Sequence, residues 1–260
     1  MAWLLDLDGV VWLSGRAIPG SSEAVARLRA AGERIVFVTN FSGPRLAEQE
    51  QRLAAVGIAA AGDVVTSAMA AARLVEPGWR VHCLAGPGVR EAVAARGATV
   101  VEDGRVDEGR VDAVVVGLTE AFDYAALRDA SAAVRTGARF IGANDDATMP
   151  TPDGPVPGAG SLLAAVAVAS GVQPVVAGKP YQPMADAVLA LAGDGPHTMV
   201  GDRWSTDGLF AARLGARFGL VLSGVTGADE VPAGVDPALV APDLAALVDR
   251  LSSSSPDQAG

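Results

Sequence analysis

Short apolar runs rich in Val, Ile and Phe recur along this chain, each followed by a stretch with helical spacing, and this alternation restricts the fold more than any other feature. Strands alternating with helices imply a parallel, doubly wound α/β sheet. Trp3–Val11 reads as the first strand, Ser22–Ala31 as a helix with Gly32 at its end, and Arg34–Val38 as the second strand. The same pattern predicts a helix over Arg45–Val56 and strands at Val81–Ala85, Val111–Gly117, Arg139–Gly142, Val175–Ala177, His197–Val200 and Phe218–Val221. At 260 residues the chain exceeds one typical domain. Between about Met69 and Pro174 the alternation has its own turns, among them Pro77-Gly78, Gly86-Pro87-Gly88 and the run Pro150–Gly160. We read residues 1–68 and 175–251 as the two parts of a Rossmann-like core, 69–174 as an inserted α/β domain, and 252–260 as a disordered Ser-rich tail.

Composition removes several classes of function. Half of the residues are hydrophobic and 19% are charged, which excludes a disordered chain. A net charge of −10, with no long Lys/Arg cluster, argues against nucleic acid as a partner. Anions can still be bound where a metal, a lysine or backbone N–H groups offset the field. Cys83 is the only cysteine, so no intrachain disulfide forms, and with only His82 and His197 to add, zinc chemistry is poorly supplied. Asp6 and Asp8 interrupt the apolar N-terminus, which argues against a signal peptide, and Leu162–Ala169 is too short to span a bilayer. The expectation is a cytoplasmic protein with no membrane partner.

Chemistry concentrates where apolar runs end. Trp3–Leu5 leads into Asp6-Leu7-Asp8-Gly9, placing two carboxylates at alternate positions near a strand's carboxyl end, where open α/β sheets bind ligands. Asp8-Gly9 between hydrophobic runs is equally a hairpin signal, although a carboxylate inside an apolar strand is costly to bury without a partner. Ile35–Val38 ends in Thr39-Asn40, a hydroxyl and an amide that also suit an ordinary helix N-cap. His197–Val200 ends in Gly201-Asp202-Arg203-Trp204-Ser205-Thr206-Asp207-Gly208, with two further carboxylates, of which Asp207 could cap the following helix. Acidic groups on adjacent strand ends repel unless a cation sits among them, and oxygen-only ligands point to magnesium. Lys179 lies in Gly178-Lys179-Pro180; the proline and the glycine spacing exclude a nucleotide-binding P-loop, and by itself such a lysine is a solvated charge.

In order, DLDGV, VTN, GKP and GDRWSTDG resemble the four signature motifs of the haloacid dehalogenase superfamily. The chain is similar to its capped subgroup, which includes NagD-like and nitrophenylphosphatase-like enzymes and inserts an α/β cap between the second and third motifs. The run Gly142–Asp146, continuing through Met149–Gly154 and Pro157–Ser161, resembles that cap. The subgroup commonly carries a second asparagine after Thr-Asn, where this chain has Phe41; the change bears on a substrate-side hydrogen bond and not on the chemistry.

The resemblance implies a magnesium-dependent phosphatase. Asp6 would attack phosphorus, and Asp8 would protonate the leaving oxygen and then activate water. The Asp6 side chain, the Asp8 backbone carbonyl and Asp202 would hold magnesium, with Asp207 orienting the metal shell or Lys179. Thr39, the backbone around Asn40, and Lys179 would hold the phosphoryl oxygens. The cap would select a small phosphorylated metabolite, with Asp145 and Met149 as substrate-side residues, and it leaves room for a homodimer. Asp8 and the Asp202/Asp207 pair argue against a dehalogenase. A phosphomutase, a phosphotransferase and a silent phosphate-sensing protein on the same fold remain alternatives.

Overall fold

The computed structural model describes residues 1–13, 15–101, 110–151 and 153–253. Pro152 and residues 254–260, which make up most of the expected tail, lie outside them. The first stretch of chain forms β1 (Ala2–Leu5), β2 (Trp12–Leu13), β3 (Arg16–Ala17), α1 (Ser21–Ala30), β4 (Arg34–Thr39), α2 (Leu46–Ala55), β5 (Val64–Thr66) and α3 (Ser67–Ala72). Then come β6 (Arg80–Leu84), α4 (Pro87–Ala95), β7 (Thr99–Val101), β8 (Ala113–Val116), α5 (Tyr124–Arg135), β9 (Arg139–Gly142), β10 (Thr148–Thr151), β11 (Gly154–Pro157) and α6 (Ala159–Ser170). The chain closes with β12 (Val175–Val176), α7 (Gln182–Ala192), β13 (His197–Gly201), α8 (Leu209–Leu214), β14 (Arg217–Val221), β15 (Val240–Ala241) and α9 (Leu244–Ser253). Among the described residues, no helix is long and apolar enough to cross a membrane.

The chain divides into two compact units, one of Met1–Val38, Glu50–Val64 and the residues from Val188 onward, the other of Thr39–Gln49 and Val65–Ala187. The first is built on a six-stranded sheet in the order β15-β14-β13-β1-β4-β5. Its central strand β1 runs parallel to both neighbours, with Leu5 opposite Val200 of β13 and Phe37 of β4. All four β1 residues are buried, as expected of a parallel strand covered on both faces. Leu4, Leu5, Ile35, Phe37, Met199, Phe210 and Leu220 are fully buried, each contributing about 1.5–3 kcal/mol by removal from water. Helix α1 turns Ala24, Val25 and Leu28 inward and places Glu23 in its first turn and Arg27 and Arg29 in its last, matching the helix dipole.

The first strand ends at Leu5 and does not continue to Val11. The Leu7 carbonyl accepts N–H bonds from Val10, Val11 and Trp12 at 3.3, 2.9 and 3.2 Å, curling the chain out of the sheet. Asp8-Gly9 therefore lies in a closed turn, and the hairpin comes afterwards, between β2 and β3.

The second unit holds a five-stranded, wholly parallel sheet in the order β12-β9-β8-β6-β7. Its core gathers Leu84, Val114, Val116 and Phe140 from the strands with Ala130 and Val134 of α5 and Leu163 and Val166 of α6. Asp123 starts α5 by accepting the Ala126 N–H at 2.8 Å. Strands β10 and β11 form a separate antiparallel pair. At the N-terminus of α4, where an α/β sheet often binds an anion, the Gly88 N–H donates instead to the Gly43 carbonyl at 2.8 Å.

Candidate active site

Asp6 follows β1, and its N–H still donates to the Val200 carbonyl at 2.9 Å, so it sits at the last paired position of the sheet edge. Asp202 follows β13 at the same edge, because β1 and β13 run parallel in register. Asp207 comes from a single π-helical turn, Trp204–Gly208, that leads into α8. One carboxylate oxygen from each of Asp6, Asp202 and Asp207 lies within 4.8 Å of the others, and all three residues are buried. At that spacing two carboxylates repel by about 3–4 kcal/mol at an effective dielectric near 20. Three hard oxygen donors in so small a space suit magnesium. The residues thus fit the ion that the motifs imply.

The cluster is braced by loops that approach closely. Asp202 Oδ2 accepts the Val225 N–H at 2.7 Å, and the Asp202 carbonyl accepts the Thr226 hydroxyl at 2.5 Å. Asp207 Oδ2 accepts the Arg203 N–H at 3.2 Å, so Asp207 both steadies the start of its own turn and joins the carboxylates. Gly9 has φ +83°, and a Cβ there would fall 2.5 Å from Asp202 Oδ2. A Cβ on Gly224 would fall 2.0 Å from the same oxygen. Both positions therefore need glycine for space, and Gly9 also for its left-handed backbone. The Gly9 carbonyl accepts the Ser223 hydroxyl at 2.6 Å. Asp8, half-buried in the turn, accepts the Trp12 indole N–H at 3.1 Å.

The remaining motif residues assemble in the second unit. Thr39, the last residue of β4, is buried and begins no helix; its Oγ1 accepts the Phe41 N–H at 3.0 Å. Asn40 Oδ1 accepts the Lys179 N–H at 2.8 Å, while its Nδ2 donates to the Lys179 carbonyl at 3.1 Å and to Asp146 Oδ2 at 3.0 Å. The Asn40 carbonyl accepts from Ser67 Oγ at 2.7 Å and Asn144 Nδ2 at 2.6 Å. Lys179 is only 2% exposed, which is not the solvated charge that an isolated lysine suggests. Asp145 accepts the Tyr181 hydroxyl, linking it to the segment that carries Lys179. Met149 lies on β10 opposite Val156 and is half-buried.

The structure thus brings Asp6, Asp202 and Asp207 together, and separately joins Asn40 to Lys179. Sequence reasoning missed the Ser223–Thr226 loop, Trp12 and the bracing role of Asn144. Ser223-Gly224-Val225-Thr226 could have been found by the signal that found the others, since small and polar residues follow the apolar strand β14.

Residues 3–99 match the family model of haloacid dehalogenase-like hydrolases, and residues 176–247 match a second, HAD-hydrolase-like model. The chain is 39% identical to human chronophin over 247 residues, covering 88% of this chain and 83% of the relative. It is 34% identical to an acid sugar phosphatase of Staphylococcus saprophyticus, covering 96% and 97%. Among solved structures, a glycerol phosphate phosphatase from Mycobacterium tuberculosis in complex with magnesium superimposes with a TM-score of 0.86 at 36% identity, covering 95% of this chain and 75% of that one.

Proposed function

Because the chain belongs to the haloacid dehalogenase-like hydrolases, and within them to the capped phosphatases that act on phosphomonoesters with magnesium, we propose how its own residues divide that reaction. The observation that carries the assignment is the buried triad of Asp6, Asp202 and Asp207, with ligand atoms within 4.8 Å. Bound there, magnesium would neutralise the carboxylates and draw charge from the phosphoryl oxygens.

Asp6 attacks phosphorus and the ester P–O bond breaks, while Asp8 gives its proton to the departing oxygen. Asp8, now ionised, takes a proton from water as that water attacks the phosphorylated Asp6, releasing phosphate and restoring both carboxyl groups. The Asp8 backbone carbonyl would join Asp6 and Asp202 in holding the metal, and Asp207 would fix the surrounding shell. Thr39 and Lys179 are assigned to the phosphoryl oxygens, whose charge dominates phosphoryl transfer. Both amide hydrogens of Asn40 are spent on Lys179 and Asp146, so its share of the phosphate contact falls to its backbone.

The substrate is a small phosphorylated metabolite. The acid sugar phosphatase and the glycerol phosphate phosphatase support one with a hydroxylated alkyl leaving group. Residues 69–174 act as the cap, with Asp145 and Met149 on the substrate side. The test is hydrolysis of a phosphomonoester panel with magnesium and with chelator, by the wild type and by Asp6→Asn. Magnesium-dependent turnover lost in Asp6→Asn, with the fold retained, is expected; substantial turnover by a clean Asp6→Asn preparation would remove Asp6 from its role.

A further inference from the structure

We infer that Trp12 is a positioning residue for Asp8, holding the carboxyl group that hands a proton to the leaving group. The inference rests on the reading of Asp8 as the acid. The indole N–H is a donor with no acceptor capacity, and here it meets Asp8 Oδ1 at 3.1 Å. Trp12 is 5% exposed, so the indole has little room to leave that contact.

The backbone beneath the pair is closed by several hydrogen bonds. The Leu7 carbonyl takes three N–H groups, including that of Trp12, and the Gly9 N–H donates to the Trp12 carbonyl at 2.7 Å. The Val11 carbonyl is held by the Ile18 N–H and the Ser21 hydroxyl, both at 3.0 Å. The Gly9 carbonyl is held by Ser223. Asp8 and Trp12 are thus anchored on one small frame, and the indole sets the direction of the carboxyl group on it. A phenylalanine would fill most of the same space, so packing alone does not account for a donor aimed at this carboxylate.

A group that positions an acid matters in proportion to how much the leaving group needs a proton. An alkoxide needs one to depart, and 4-nitrophenolate does not. The experiment measures kcat/KM, which reports transfer to Asp6, for glycerol phosphate and for 4-nitrophenyl phosphate with magnesium in the full chain. The ratio of the two values is independent of the fraction of active protein, so partial unfolding does not imitate the effect. Trp12→Phe is expected to lower the alkyl-to-aryl ratio by about tenfold or more, and Trp12→Leu to do the same. Asp8→Asn provides the control. If Asp8→Asn leaves the ratio at the wild-type value, Asp8 is not the acid and the underlying reading fails. If Asp8→Asn lowers the ratio while the Trp12 variants keep it, or lose both substrates equally, Trp12 only fills space and the inference is overturned alone.

Discussion

Asn40 grips the peptide of Lys179 from both sides: its Oδ1 takes the Lys179 N–H at 2.8 Å and its Nδ2 gives a hydrogen to the Lys179 carbonyl at 3.1 Å. A side-chain amide here does what a neighbouring strand would do for a backbone, across 139 residues of sequence. Asn40→Ala leaves both Lys179 groups without this partner and is expected to cost about 2–3 kcal/mol. Asn40→Asp keeps the shape but turns an oxygen toward the Lys179 carbonyl and Asp146, and should be no better. Denaturant midpoints, with kcat/KM falling up to about a hundredfold as Lys179 loses its fixed origin, check both. An Asn40→Ala protein as stable as wild type would show that the clamp contributes nothing.

Charge and hydrogen bonding separate at Asp202. Asp202→Asn removes one of three crowded negative charges while keeping an acceptor for the Val225 N–H. It is expected to raise the melting temperature of the metal-free protein and to weaken magnesium binding. Asp202→Ala also relieves repulsion but strands the Val225 N–H, offsetting about 1–3 kcal/mol of any gain. Calorimetric magnesium titration beside metal-free thermal melts tests the pair; unchanged metal affinity in both variants would make Asp202 structural.

Two glycines should report on the metal site without touching a ligand's charge. Gly224→Ala forces a methyl group into the space of Asp202 Oδ2, which cannot simply swing away because Val225 holds it. Weaker magnesium binding is expected, with activity recovered at high magnesium. Gly9→Ala meets the same oxygen at 2.5 Å, a milder collision than the 2.0 Å at Gly224, and adds about 1–2 kcal/mol for a left-handed backbone. The backbone cost stays when Asp202 shifts to make room, so the metal-free stability of Gly9→Ala should fall, as chemical denaturation would record.

Selectivity is expected to lie with Asp145 and Met149. Asp145→Asn weakens the hold on Tyr181, and Met149→Ala empties a half-buried position on β10. Relative rates among phosphomonoesters should shift by about tenfold per 1.4 kcal/mol of altered transition-state binding, with magnesium dependence unchanged. The same rank order of substrates in both variants would place selectivity elsewhere, at Phe41 for example.

What the sequence determined by itself was whatever a local pattern encodes. An apolar run ends where the chain reaches the sheet edge, so Asp6, Thr39 and Asp202 announced themselves as strand-end residues, and the strand–helix alternation specified a parallel sheet. Even so, the first strand was read too long, because Leu7, Val10 and Val11 are as apolar as Leu4 and Leu5, and only the Leu7 carbonyl turning back on Val11 ends it. The short strands β5 and β7 offered too few residues for a period to show. Tertiary structure alone decided which strand joins which sheet, and so that Val175–Val176 pairs with β9. It alone brought Asn40 to Lys179 and Gly224 to Asp202, and buried a lysine that composition would have left in water. Such contacts join residues far apart in the chain, and they are set by the order in which strands stack, which no window of neighbouring residues contains.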